Sequence, residues 1–340
     1  MNIKRMLSLV LTMTLCFGIL TACGTESTSS RSTVKETEAS TLDQNTASKK
    51  QHSIVCTIFP EYDWVREILG KHQDRFTLTM LLNNGVDLHS YQPTAEDLVK
   101  IANCDIFIYI GGESDEWVKD VLKESDNPNR EVINLLDVLG NSVKEEEIVE
   151  GMEAEEEEEE GPEYDEHIWL SLRNAQTLIQ AITDAIKEID ADNADDYQAN
   201  FDSYCSKLSD LDKRYKAAVD TAPVKTVVFG DRFPFRYLVD DYGLDYYAAF
   251  AGCSAETEAS FETVIFLAQK VDELGLKYVC AIENSDRKIA QTIINNTKNK
   301  DQAIVSLDSM QSTTSKDAES GTTYLSLMEQ NLDALSKALQ

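Results

Sequence analysis

The chain reads as an α/β protein of two lobes, each a mainly parallel sheet covered by helices, joined by one long rigid helix. Three observations lead there. From residue 51 onward, short apolar runs alternate with helical periods, the pattern of parallel strands linked by crossover helices. The alternation breaks for one uninterrupted amphipathic stretch over residues 195–219 and resumes after it. Residues 51–340 also supply enough chain for two modest lobes.

Residues 1–22 are read as a signal peptide. Lys4 and Arg5 precede an apolar run over residues 6–20, and Leu20-Thr21-Ala22-Cys23 follows. The run is short for a membrane span. A cysteine directly after small residues resembles a bacterial lipobox, which implies cleavage before Cys23 and a lipid on its thiol. Residues 23–50 are rich in Ser, Thr, Glu and Lys without an apolar period, so they are expected to form a flexible tether.

The first lobe is placed at residues 51–190. Its strands are expected at 53–58, 76–82, 105–110 and 131–136, and its helices at 62–70, 94–103 and 116–124. Pro93-Thr94 followed by Asp97 marks a capped helix start. Within this lobe lies an acidic insert, residues 144–166, with an unbroken glutamate run over 155–160. Adjacent like charges repel, so the insert is expected to be a solvated, disordered loop and at most a weak cation collector.

The linker helix is placed at residues 191–222. Tyr197, Phe201, Tyr204, Leu208, Leu211 and Tyr215 recur at spacings of three and four, the apolar stripe of a single long helix. The second lobe, residues 223–340, is expected to carry strands at 226–230, 246–250, 277–283 and 303–307, with helices at 258–274, 287–297 and 323–339.

The formal charge of −30 excludes a nucleic-acid partner, because phosphate binding needs clustered Lys and Arg. It suits a cationic ligand, although acidity usually serves solubility. No later segment is long and apolar enough for a membrane helix, so the lipid is the expected anchor. Apart from Cys16 and Cys23, the cysteines (Cys56, Cys104, Cys205, Cys253 and Cys280) are scattered, odd in number and without a CxxC. They read as mostly buried small residues, with one disulfide possible.

The chain has only four histidines. His89 ends Asn83-Asn84-Gly85-Val86-Asp87-Leu88-His89, and His167 ends Glu163-Tyr164-Asp165-Glu166-His167. Both lie where a loop meets an element, where scaffolds present binding groups, and imidazole is the commonest ligand of zinc-like ions. They are read as metal ligands, and His52 and His72 as surface histidines. An exported metal-dependent hydrolase is the competing class, but there is no HExxH, no paired histidine motif on one helix and no GxSxG. An acidic metal-buffering adhesin is another; no EF-hand loop or repeat supports it.

Several segments together resemble the solute-binding lipoproteins of zinc and manganese ABC importers. They are Pro60-Glu61-Tyr62, Gly85-Val86-Asp87-Leu88-His89-Ser90-Tyr91-Gln92-Pro93-Thr94, Gly111-Gly112-Glu113 with Glu116-Trp117, His167-Ile168-Trp169-Leu170, the long helix and Tyr242-Gly243-Leu244. The resemblance implies a metal held between the lobes by two residues from each. His89 and His167 carry over directly. The family's next ligand, a His or Glu, falls near Arg232, which cannot bind a cation. The adjacent Asp231 is therefore assigned. Glu283, at the end of its strand, is the fourth, with Asp286 a close competitor. Cys253, Glu256 and Glu258 lie in another loop that could approach the site but read as loop structure. The resemblance further implies a monomeric, non-enzymatic receptor, lipid-anchored on the extracytoplasmic face of the cell membrane. It would capture Zn2+, with Mn2+ the alternative, and deliver it to a permease and ATPase. Two imidazoles and two carboxylates suit zinc, and affinity order favours it over manganese.

Overall fold

The computed structural model describes residues 51–124, 127–153, 163–254 and 258–340. The expected signal peptide, Cys23 and tether, the glutamate run 155–160 and Glu256 lie outside the described residues. No helix among those described is long and apolar enough to cross a membrane.

The first sheet is built from β1 (His52–Cys56), β2 (Phe76–Met80), β3 (Ile106–Tyr109) and β4 (Glu131–Asn134), in the order β2-β1-β3-β4 with every pairing parallel. Its central strands are almost continuously buried because helices cover both faces. Those helices are α1 (Phe59–Leu69), α2 (Ala95–Asn103), α3 (Trp117–Glu124), a short α4 (Leu135–Leu139) and α5 (Leu172–Ile189). The anticipated cap forms: Thr94 Oγ1 accepts from Asp97 N–H while Asp97 accepts from Thr94 N–H. Residues 135–136, expected to end a strand, open α4 instead, with Asn134 as its cap.

The second sheet repeats the plan. β5 (Thr226–Phe233), β6 (Asp245–Ala251), β7 (Tyr278–Ile282) and β8 (Ala303–Leu307) order as β6-β5-β7-β8, again all parallel. Between these strands lie α7 (Arg236–Tyr242), α8 (Phe261–Leu274) and α9 (Lys288–Asn296), followed by α10 (Ser315–Glu319) and α11 (Tyr324–Ala338). In both sheets the first strand has its second strand on one side and its third on the other. Loops therefore diverge at the carboxyl ends of β1 and β3, and of β5 and β7, which opens a crevice there.

The linker is α6 (Ala194–Thr221), 28 residues and about 42 Å long. Tyr197, Tyr204, Leu208, Leu211, Tyr215 and Val219 form its buried stripe, and Phe201 is half-buried. It is not the only bridge. Near its start Asn200 donates to the Ile68 carbonyl of α1, and near its end Tyr215 donates to the Met328 carbonyl of α11. α11 in turn reaches the first lobe, where Tyr324 N–H donates to Asp63 at 2.8 Å. One apolar core runs through these contacts.

Two expectations are corrected here. The flanks of the acidic insert are ordered by pairing, although Glu145, Glu147, Glu150 and Tyr164 stay exposed. Glu145 and Tyr164 form an antiparallel bridge, Glu153 N–H donates to the Ala249 carbonyl of β6, and Glu147 pairs with Arg236. Backbone pairing and ion pairs offset the charge repulsion that argued for disorder. His52 and His72 are not plain surface residues either. His52 is buried in β1 against Phe76, and His72 meets Asp196 at 2.7 Å and the edge of Tyr197.

Candidate metal centre

His89 sits in a single 3-10 turn, Leu88–Ser90, that Asp87 caps by accepting the His89 N–H at 3.1 Å. Buried Leu88 pins the turn, so the imidazole faces the crevice with its side chain 11% exposed. Its Nδ1 lies 2.8 Å from Ser114 Oγ, in the loop after β3, and 3.7 Å from Glu166 Oε2. That carboxylate oxygen is buried and has no hydrogen-bond partner among the described residues, while Glu166 Oε1 accepts from Ser114 N–H. Gly112 makes room for it: at φ +79° a Cβ there would stand 2.3 Å from Glu166 Oε1.

His167 is fully buried at the head of the turn Ile168–Leu170. Asp165 Oδ1 accepts from the His167 N–H at 2.8 Å and lies 3.1 Å from Nδ1. A carboxylate only accepts, so Nδ1 carries a proton, and in the neutral ring Nε2 keeps its lone pair. That Nε2 is 3.3 Å from Nε2 of His89. Two nitrogens bound to one tetrahedral zinc at about 2.0–2.1 Å stand about 3.3–3.4 Å apart. The pair already has that spacing.

The two rings differ electrostatically. Burial pushes His89 down to about 3, helped by His167 and Arg232 and opposed by Asp87. Burial also opposes charge on His167, but Asp165, Glu166 and Glu146 outweigh it and hold its pKa above the ordinary value. At neutral pH His89 is thus an uncharged donor.

A third ligand-capable atom joins them. Ligand atoms of His89, His167 and Cys253 all lie within 4.8 Å of one another, the one such group among the described residues. Cys253 follows β6, and its N–H donates to Glu146 Oε1 at 2.9 Å. Gly252 permits the approach, since a Cβ there would meet His167 Cε1 at 3.0 Å. Burial, with Glu146 and Asp165, raises the thiol well above its usual range.

The second-lobe residues expected from the sequence are placed elsewhere. Asp231 lies within β5, not in a turn, at a register shift between Phe229 and Arg232. Its carboxylate accepts from Arg232 N–H at 3.0 Å and Ile282 N–H at 3.3 Å. Glu283 turns to the loop after β8, accepting from Ser309 N–H at 2.7 Å and Ser309 Oγ at 2.6 Å. Exposed Asp286 accepts from Lys288 N–H at the start of α9 and pairs with the Lys288 ammonium. None of the three joins the histidine group, because nearby donors already hold their oxygens. Arg232 crosses the crevice to Asp87 at 2.6 Å, and this pairing outweighs burial to lower the Asp87 pKa. All five described cysteines are free.

Asp165, Glu166 and Ser114, which orient the imidazoles, were not singled out by sequence reasoning. The acidic run before His167 was the available signal for the first two.

Beside Glu283, burial and the Glu283 charge move Asp308 up to about 7, against the Met310 N–H. Its unfolded value is about 3.9. The folded state therefore holds a proton that the unfolded state has lost. The Asp308 contribution to stability is full below about pH 4 and is lost as pH rises through about 7, by at most about 1.4 kcal/mol per pH unit. Asp308→Asn is expected to flatten this part of the decline in urea melts across pH. Identical slopes for the two proteins would show that Asp308 is already ionised.

A family model described as zinc-uptake complex component A, periplasmic, matches residues 54–338. The zinc-binding protein AdcA of Streptococcus pyogenes is 29% identical over 290 residues, 83% of this chain and 55% of that protein. The chain thus spans about half the length of the AdcA relatives it matches. The high-affinity zinc uptake system protein ZnuA of Bacillus subtilis is 28% identical over 330 residues, 95% of either chain. Among solved structures, the Zn(II)-bound ZnuA-like domain of Streptococcus pneumoniae AdcA is 27% identical with a TM-score of 0.67, covering 85% of this chain and 99% of that one. The metal-dependent lipoprotein YcdH of Bacillus subtilis is 26% identical with a TM-score of 0.69, over 85% of this chain and 99% of that one.

Proposed function

Since the chain belongs to the zinc-uptake complex component A family, we propose that it is the extracytoplasmic receptor of an ABC importer, capturing Zn2+ between its lobes and passing it to a permease and ATPase. It works as a binding protein, not an enzyme, as a single chain held to the membrane through a lipid on Cys23. One observation carries this reading: two imidazole Nε2 atoms from different loops stand 3.3 Å apart in the crevice. Each ring is held from behind, by Asp165 or by Ser114 and Glu166. Such outer partners orient metal-bound histidines and raise their basicity. His89 and His167 are the ligands. Asp231 and Glu283 stand outside the set, their oxygens committed to backbone amides. Zinc is preferred over manganese because imidazole nitrogens favour it. The names of the AdcA and ZnuA relatives support the same choice.

The test is a chelator-competition titration of the full chain with Zn2+ and Mn2+, alongside a variant lacking residues 155–160. One tight zinc per chain is expected in both proteins, with weaker manganese. Weak multiple binding that disappears with the deletion would identify an acidic buffer instead. Equal or tighter manganese binding would assign the manganese receptor.

A further inference from the structure

We propose that Cys253 is the third protein ligand of the cation held by His89 and His167, and that the site thereby selects thiophilic divalent cations. The inference rests on the receptor reading above and names the chemistry of its cargo. In a tetrahedral zinc site, bonds of about 2.3 Å to sulfur and about 2.0–2.1 Å to nitrogen place sulfur about 3.6 Å from each nitrogen. The nitrogens already have their spacing, and the sulfur lies within 4.8 Å of both. A movement of about 1 Å closes the set.

The surroundings are shaped for that approach. Gly252 lets the loop after β6 lie against the His167 ring, where any side chain would crowd Cε1 and Nδ1. Glu146, from the flank of the acidic insert, accepts the Cys253 N–H and so fixes the loop. On capture the S–H bond breaks, its proton passes to the Glu146 carboxylate and on to solvent, and the freed sulfur pair forms the metal bond. Two neutral imidazoles and one thiolate leave a divalent ion with one net positive charge. The buried carboxylates of Asp165 and Glu166 stand beside it to balance that charge. A thiolate favours Zn2+, Cd2+ and Co2+ over Mn2+, Mg2+ and Ca2+. Cys56, Cys104 and Cys280 are buried in the body of the lobes, outside the histidine group.

Co2+ is the probe, added to the full chain and to Cys253→Ser. Wild type is expected to bind one Co2+ with a sulfur-to-cobalt charge-transfer band in the near ultraviolet. The serine variant is expected to lose that band and to bind Zn2+ and Cd2+ at least about tenfold more weakly, with little change for Mn2+. Stoichiometric cobalt in wild type without the sulfur band overturns this inference and leaves the receptor reading intact. A wild-type chain that takes up no cobalt and no zinc overturns the receptor reading, and this one with it. The wild-type spectrum decides the matter even where the serine variant misfolds.

Discussion

His167→Ala is expected to lower zinc affinity by more than about a hundredfold, read by chelator competition. Losing even an outer partner of a metal-bound histidine costs about 10–100-fold, and in the proposed site His167 would supply the donor atom itself. Its buried Nε2 faces the equivalent atom of His89, and its other nitrogen is committed to Asp165. Asp231 and Glu283 accept from backbone amides away from the histidine pair. His167→Gln keeps more of the volume and should lose nearly as much, which separates ligation from packing. His72→Ala removes a histidine paired with Asp196 at α6, and zinc affinity should stay at the parental level. A His167→Ala protein that binds zinc as tightly as its parent would move the site elsewhere.

Trp169→Ala is expected to destabilise the metal-free protein by about 3–5 kcal/mol, the usual cost of emptying a fully buried aromatic site. The indole is completely buried and joins the lobes. Its Nε1–H donates to the Ser309 carbonyl after β8 at 2.8 Å, and its own carbonyl accepts from the Tyr324 hydroxyl of α11 at 2.6 Å. Its ring also backs His167, with centroids 5.3 Å apart. Zinc affinity should therefore fall together with stability. Trp169→Phe, which keeps most of the volume but loses the N–H donor, should cost about 1–3 kcal/mol, because the Ser309 carbonyl loses its donor. Urea unfolding measures both variants. An unchanged midpoint for the alanine variant would mean that the lobes are not joined through this residue.

Both predictions depend on α6 and α11 forming continuous packing between the lobes. A core shared in this way limits how far the lobes can swing. Capture is then expected to work through local adjustment of the loops around His89 and Cys253. The Arg232–Asp87 pair already spans the crevice beside His89 and restrains it further.

How much was legible differs from element to element. The buried strands of both sheets read directly from their apolar runs, because a parallel strand covered on both faces needs apolar residues at nearly every position. The α6 stripe read just as clearly. α5 is equally legible in the pattern: Ser171 caps it, and Leu172, Ala175, Leu178, Ile179, Ile182 and Ile186 repeat at helical spacing. α7 and α10 are short and carry little periodic signal.

The amino-acid order by itself determined the two parallel sheets and the long connecting helix, and it marked the two histidines that the fold brings together, because periodicity and loop boundaries are properties of neighbouring residues. Only the tertiary structure decided which second-lobe atom stands beside those histidines. Asp231 was turned away at the register shift in β5, and Glu283 was drawn to the Ser309 amide. Cys253 arrived on a loop that Gly252 allows to approach closely and Glu146 holds. A carboxylate's direction depends on which donors fold up beside it, and those donors come from segments far along the chain.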